Sequence, residues 1–210
     1  MDLKQGFVVQ PKAPTVVELD NNFRDVGVNL AAWACEKALE EAGLRREDIT
    51  HTVAVTCTNQ GNPGYDLLVH EQLGLRPDVD RSLLHGVGCA GGLSIMRAAA
   101  QMALAATARG RPARVLAFAC ELCTPNVRNE LAAAERCSAK DVCVAAALFS
   151  DAAAAFVLAN DLGRGNNEAK FRLRAFDSAV LPGTIQQMSF YSDHSGKSWQ
   201  PGFRELDMMS

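Results

Sequence analysis

Residues 83–109 hold the feature that most limits the fold: a short apolar run, Leu83-Leu84-His85-Gly86-Val87, passes through Gly88-Cys89-Ala90-Gly91-Gly92 into an alanine-rich stretch with few helix breakers. The run reads as a buried strand and 93–109 as a helix, so the chain turns sharply from one kind of element to the other. The rest of the sequence alternates in the same way. Asp20, Asn21 and Asn22 are N-cap residue types, and Phe23, Val26, Leu30, Trp33, Ala34 and Ala38 recur at helical spacing until Gly43, which predicts one amphipathic helix. A strand follows over 51–57, then a helix opened by Pro63 and stopped by Gly74. Further strands are expected near 81–87, 113–119, 151–159 and 171–179, with a second helix over 140–148. Strands alternating with helices argue for a mixed α/β sheet covered on both faces. The helix after Cys89, rich in Ala, Leu and Met, is expected at its centre.

Cys89 is the residue best placed for chemistry. A thiol where a strand gives way to a helix faces the free backbone N–H groups of the helix amino end, and those donors and the helix dipole favour thiolate over thiol. Glycines 86, 88, 91 and 92 let the backbone turn and leave room for a bulky acyl group. The same motif also fits an inert buried cysteine beside a tight turn. Cys120-Glu121-Leu122-Cys123 has the spacing of a redox or metal pair. A zinc site wants a second pair at ligand spacing, which Cys137 and Cys143 do not form, and a redox pair wants a helix where Pro125 and a polar stretch stand. No metal site is expected. Seven cysteines, an odd number spread through apolar segments, fit reduced thiols in the cytoplasm better than a disulfide framework.

Composition removes other classes. With 210 residues, 48% hydrophobic content and a net charge of −3, the chain can bury a core and lacks the balance for binding polyanions, so nucleic acid is excluded as a partner. The apolar runs at 142–148 and 152–159 are too short to cross a bilayer, and the start has no signal-peptide pattern, so no membrane association is expected. From 181 onward the sequence turns polar and irregular.

Several blocks together resemble the N-terminal catalytic half of the type III polyketide synthases, the chalcone and stilbene synthase family. They are Ile49-Thr50-His51-Thr52-Val53 leading into Thr56-Cys57-Thr58-Asn59-Gln60-Gly61-Asn62-Pro63-Gly64-Tyr65-Asp66, then Leu73-Gly74-Leu75-Arg76-Pro77 and Gly88-Cys89-Ala90-Gly91-Gly92. Ala113-Arg114-Val115-Leu116, Cys120-Glu121 and Ala147-Leu148-Phe149-Ser150-Asp151-Ala152-Ala153-Ala154-Ala155 complete the set. The order and spacing agree over about 20–180, and Asn59-Gln60-Gly61-Asn62 looks more like fungal and bacterial members than plant ones. The resemblance implies a thiolase-like mixed sheet with helices on both faces and a buried helix after the cysteine, an incomplete α-β-α-β-α sandwich. It implies one such domain over 1–180, with 181–210 the irregular start of a second half.

The implied activity is acyl transfer: a starter acyl-CoA loads Cys89, and malonyl-CoA is decarboxylated and condensed with it, with no cofactor beyond these CoA substrates. Cys89 corresponds to the nucleophile. Phe149 corresponds to a phenylalanine guarding the junction of CoA tunnel and cavity, and Thr58 to a cavity-lining threonine. Asn62 falls in the loop that reaches the neighbouring subunit of the family homodimer, and Glu121 at a buried acidic position near the centre. The family also uses a histidine and an asparagine in motifs of the His-Pro-Gly-Gly and Asn-Met-Ser type, and neither motif occurs here. Of the four histidines, His51, His70 and His194 stand away from the elbow, and His85 is the nearest to Cys89 in sequence. The stretch 1–17 does not resemble the family's first strand. Two functions follow: a polyketide-forming acyltransferase impaired by the missing pair, or an incomplete half-domain, such as a truncated gene product, that pairs with a full-length subunit without catalysis.

Overall fold

The structure is a computed structural model that describes residues 12, 14–125, 127, 148–165, 168–184, 190–193 and 196–199. Two compact units form: one comprises Asp20–Glu121 and Ala152–Asp177, the other Met1–Leu19, Leu122–Asp151 and Ser178–Ser210.

The first unit is built on a four-stranded sheet of β1 (His51–Val55), β2 (Asp80–Leu84), β3 (Arg114–Glu121) and β4 (Ala152–Ala159), in the order β2-β1-β3-β4. The first three strands run parallel and β4 runs antiparallel to β3. Val55 stands beside Leu84 on one side and Ala119 on the other, and Glu121 pairs with Ala152. The carboxyl ends of β1, β2 and β3 therefore share one edge. Val53, Ala54 and Val55 in β1, and Val115 to Phe118 in β3, are all buried, the continuous apolar run that a strand covered on both faces requires.

Successive side chains of each strand go to opposite faces, and a different kind of layer covers each. On one face, Ile95, Ala99, Ala103 and Ala106 of α4 (Gly91–Ala108) pack on Val53, Val55, Val115 and Ala117; small side chains let helix and sheet approach closely. On the other, α2 (Val28–Ala42) packs on β3 and β4 and against α3 (Tyr65–Leu73). There the rings of Phe23, Tyr65 and Phe118 meet edge to face at centroid distances of 5.5 and 5.7 Å, and the buried Tyr65 hydroxyl donates to the Val55 carbonyl at 2.9 Å. That bond meets the polar demand of an otherwise apolar ring. A one-turn helix, α5 (Asp161–Arg164), follows β4 and is capped by Asn160, whose side chain accepts from the Gly163 N–H at 2.7 Å.

The structure corrects four sequence expectations. The first helix begins earlier: α1 (Val16–Asn22) runs through a π-turn at Phe23–Gly27 into α2. Its start is a capping box in which the Thr15 N–H donates to Glu18 Oε2 at 2.7 Å and the Glu18 N–H to Thr15 Oγ1 at 3.2 Å. That reciprocal pair satisfies two amino-end groups and outcompetes the cap expected at Asp20 to Asn22, which lie inside the helix. The second strand ends sooner than 87 and is not buried: β2 stops at Leu84, and the left-handed turn at Gly86 takes the chain away from the sheet. Residues 171–179 form no strand. Their alternation suits one, but a strand needs a neighbour to bond, and here Phe171 is 91% exposed and Val180 just beyond 92%. The tail expected to be irregular contains an antiparallel hairpin, β5 (Phe190–Asp193) with β6 (Gly196–Trp199), in the second unit. The helix expected over 140–148 lies, apart from Leu148, outside the described residues, as do Cys137, Cys143 and His194.

Candidate active site

The shared carboxyl edge of β1, β2 and β3 is where open α/β sheets place their ligands, and both loops of interest leave from it. After β2 the backbone turns left-handed at Gly86 (φ 70°) and Gly88 (φ 62°), conformations that only glycine adopts without strain. A single 3-10 turn, Gly88–Ala90, closes with the Gly91 N–H donating to the Gly88 carbonyl and runs straight into α4. Gly91 is held against β1: a Cβ there would stand 3.0 Å from Val55 Cγ2. The result is a thiol at the amino end of α4, exposed together with Ala90 and His85. Cys89 is thus not buried, unlike the cysteine beside a tight turn that the motif also allowed.

The loop after β1 is held by a carboxylate from β3. Glu121 Oε1 accepts from the Cys57 N–H at 2.8 Å, while Oε2 accepts from the Thr58 N–H at 3.0 Å, the Thr58 hydroxyl at 2.6 Å and the Thr56 hydroxyl at 3.1 Å. The Thr58 N–H also reaches Thr56 Oγ1 at 3.2 Å. Four donors converge on one half-buried side chain, and such charge-assisted bonds are the stronger kind. Glu121 thus ties the end of β3 to the exit of β1, and Thr58 gives its hydroxyl proton to it. Further along the loop Asn62 is exposed. Phe149 is half-buried in the second unit, near Asp151, whose Oδ1 accepts from the Cys123 and Thr124 N–H groups at 2.7 Å each.

The other thiols are differently placed. Cys120 is buried in β3, where its Sγ donates to the Gly27 carbonyl at 3.3 Å, while Cys123 is half-buried just beyond the strand. Burial first, then the charges of Glu36 and Cys120, push the Cys35 thiol far above its ordinary value; burial likewise raises the Tyr65 phenol. Among the described residues no group of three His, Cys, Asp or Glu side chains is arranged to hold a metal ion, and no helix is long and apolar enough to cross a membrane.

Of the residues picked from sequence, the structure brings Thr58 and Glu121 into direct contact and sets Cys89 and the Thr58–Asn62 loop at one sheet edge. Sequence reasoning did not find Thr56 as a ligand of Glu121, nor Asn59, Asp20 and Arg24 as the loop's outer support. The motif containing Thr56 and Asn59 was visible, but their partners lie 65 and 39 positions away, and no local pattern reports that.

Comparison with known proteins gives a consistent picture. The family described as chalcone and stilbene synthases, N-terminal domain, matches residues 8–162. A type III polyketide synthase of Penicillium soppii, pspB, is 53% identical over 196 residues, covering 92% of this chain and 49% of its own length. The crystal structure of a fungal type III polyketide synthase, ORAS, superposes with a TM-score of 0.88 at 40% identity, over 93% of this chain and 51% of that one. The crystal structure of CsyB complexed with CoA-SH gives a TM-score of 0.80 at 37% identity, over 91% and 51%. The chain spans about half the length of the relatives it matches.

Proposed function

Because this chain belongs to the chalcone and stilbene synthase family and has its thiolase-like fold, we propose that it carries the acyl-loading site of a type III polyketide synthase, with Cys89 as the nucleophile. The observation that carries this reading is the accessible thiol at the amino end of α4, on the carboxyl edge of the sheet. The Cys89 thiolate attacks the carbonyl of an acyl-CoA thioester, and the tetrahedral intermediate collapses. An acyl–Cys89 thioester remains, and CoA leaves as a thiolate that takes up a proton. Backbone N–H groups at the helix start donate to the oxyanion of that intermediate in this reading. In the extension step malonyl-CoA loses carbon dioxide, and the resulting enolate attacks the acyl–Cys89 carbonyl and frees the thiolate. No redox partner or cofactor beyond CoA enters either balance. The relative solved with CoA-SH supports CoA thioesters as the substrate class.

In this reading Thr58 lines the acyl site, Asn62 reaches the acyl site of the paired copy and Phe149 guards the CoA passage. The chain acts in the cytoplasm and pairs through the Asn62 segment with a second copy or a full-length subunit, and 1–180 is the functional domain. Tested as these 210 residues, among which neither His-Pro-Gly-Gly nor Asn-Met-Ser occurs, the two steps are expected to separate, with slow loading and poor extension. Incubation with a panel of fatty acyl-CoA starters, then malonyl-CoA, followed by mass spectrometry of protein and product, tests this. One acyl group on Cys89, absent in Cys89→Ala and without tri- or tetraketide, is expected. Addition to another cysteine, or to none, overturns the reading.

A further inference from the structure

The loop that carries Thr58 and Asn62 has a second support, on the side away from Glu121. Asn59 is a buried polar residue, 5% exposed. Its Nδ2 donates to Asp20 Oδ1 at 2.8 Å and its Oδ1 accepts from the Gly61 N–H at 2.9 Å. The other oxygen of Asp20 accepts from Arg24 Nε at 2.8 Å, and Arg24 Nη2 reaches back to the Pro63 carbonyl at 3.3 Å. Asp20 and Arg24 stand four positions apart where α1 gives way to the π-turn, an irregularity that recurs beside functional sites. Gly61 completes the fit: a Cβ there would collide with the Arg24 guanidinium and come within 2.7 Å of Asp20 Oδ1. Between Glu121 and this cluster, residues 57, 58, 59, 61 and 63 are each tied down by a hydrogen bond, while the side chain of Asn62 stands exposed among them.

We propose that Asp20, Arg24 and Asn59 are positioning residues for the acyl-CoA site, holding the 57–63 loop so that Thr58 presents a fixed wall to the acyl chain; this rests on the acyl-transfer reading above. Among the described residues the polar partners of the three lie in the 59–63 loop and in one another, not in the elbow, so they act on substrate binding and not on the reactivity of Cys89. Nothing in the local sequence around Cys89 specifies them. The arrangement exists because a helix that starts early, at Thr15, brings Asp20 and Arg24 over a loop nearly forty positions later.

The test compares Asp20→Asn, Asn59→Ala and Gly61→Ala with the unsubstituted 210-residue chain. Gly61→Ala presses on the cluster from the loop side without removing any of its groups. Three quantities are read: the acyl-CoA concentration giving half-maximal loading of Cys89, with short and long fatty acyl-CoA, the limiting loading rate, and hydrogen exchange at the Thr58 and Gly61 amides. The expected result is a rise of about fivefold to tenfold in the half-saturating concentration, the equivalent of one or two lost hydrogen bonds. The limiting rate and the iodoacetamide reactivity of Cys89 stay within about twofold, and both loop amides exchange faster. A half-saturating concentration that does not move overturns the proposal, as does a fall in limiting rate and thiol reactivity in step with a lower melting temperature, which marks a purely structural role. If the unsubstituted chain takes no acyl group, the acyl-transfer reading fails and the positioning claim with it. Loading that proceeds but is indifferent to all three substitutions removes the positioning claim alone.

Discussion

Two loops leave neighbouring strands at the same edge of the sheet, and they are held in opposite ways. The one after β1, residues 56–64, is fixed by side chains distant in sequence, Glu121 on one side and the Asp20–Arg24 pair on the other. The one after β2 is fixed by its own backbone: two left-handed glycines, a 3-10 turn and Gly91 seated on Val55. Polar ties would occupy or crowd a group that has to meet substrate, and the elbow leaves its thiol exposed. A wall can be tied without such loss, because its task is to stay in place. In the proposed reading the pair of loops divides the work between a rigid boundary and an accessible nucleophile, and substitutions in one should spare the other.

The largest effect is expected from Cys89→Ala, which lowers acyl loading on the order of a thousandfold or more while leaving the melting temperature of the chain unchanged. Intact-mass spectrometry and calorimetry on the same preparation check both halves of that statement, and loading that persists would break the assignment of the elbow. Next, Glu121→Ala removes the acceptor that four donors share, so a loss of about 2–4 kcal/mol is expected in denaturant unfolding. A loss under about 0.5 kcal/mol would show that the β1 loop is not held as described. The elbow's own test is smaller. Gly88→Ala forces a Cβ into a left-handed conformation and should cost about 1–2 kcal/mol, whereas Gly92→Ala, inside α4 with open space around it, should be neutral or stabilise by up to about 1 kcal/mol. Equal effects at the two glycines would remove the backbone explanation of the turn.

The smallest effect concerns acid. Partial burial works against ionisation of Asp20, but the hydrogen bonds from Arg24 and Asn59 outweigh it and hold the carboxyl below its ordinary value of 3.8. A group with a depressed value in the folded state stabilises fully above its unfolded value and loses that contribution as the pH falls through the folded one. The outer support of the β1 loop should therefore weaken below about pH 4, and the Gly61 amide should lose exchange protection there before the Gly91 amide of the elbow does. Loss of protection at both sites together would erase the distinction between the loops.

Local and distant determinants were legible to very different degrees. The starts of the strands near 51, 81, 113 and 151, the helix stops at Gly43 and Gly74 and the turn at Cys89 follow from periodicity and punctuation, because each depends on neighbours within a few positions, whereas the end and the burial of β2 do not. The first helix was started too late because apolar spacing from Phe23 outweighed a capping signature, Thr15-Val16-Val17-Glu18, that lay in view. Residues 171–179 have the alternation of a strand but lack a bonded neighbour among the described residues, which no propensity can supply. Glu121 was singled out only through resemblance, and its four donors were invisible until β1 and β3 lay side by side.

What the sequence alone determined is the alternation of strands and helices through the sheet and the turn at Cys89, since a glycine turn between strand and helix exposes a thiol through backbone geometry that a few residues dictate. What only the tertiary structure decided is how the facing loop is held and which helix face is covered. Hydrogen bonds and burial are relations between residues that the chain brings together after tens of intervening positions, and their partners, Glu121 with Thr56 and Thr58, and Asp20 with Asn59, exist as pairs only once the sheet and its helices have closed around them.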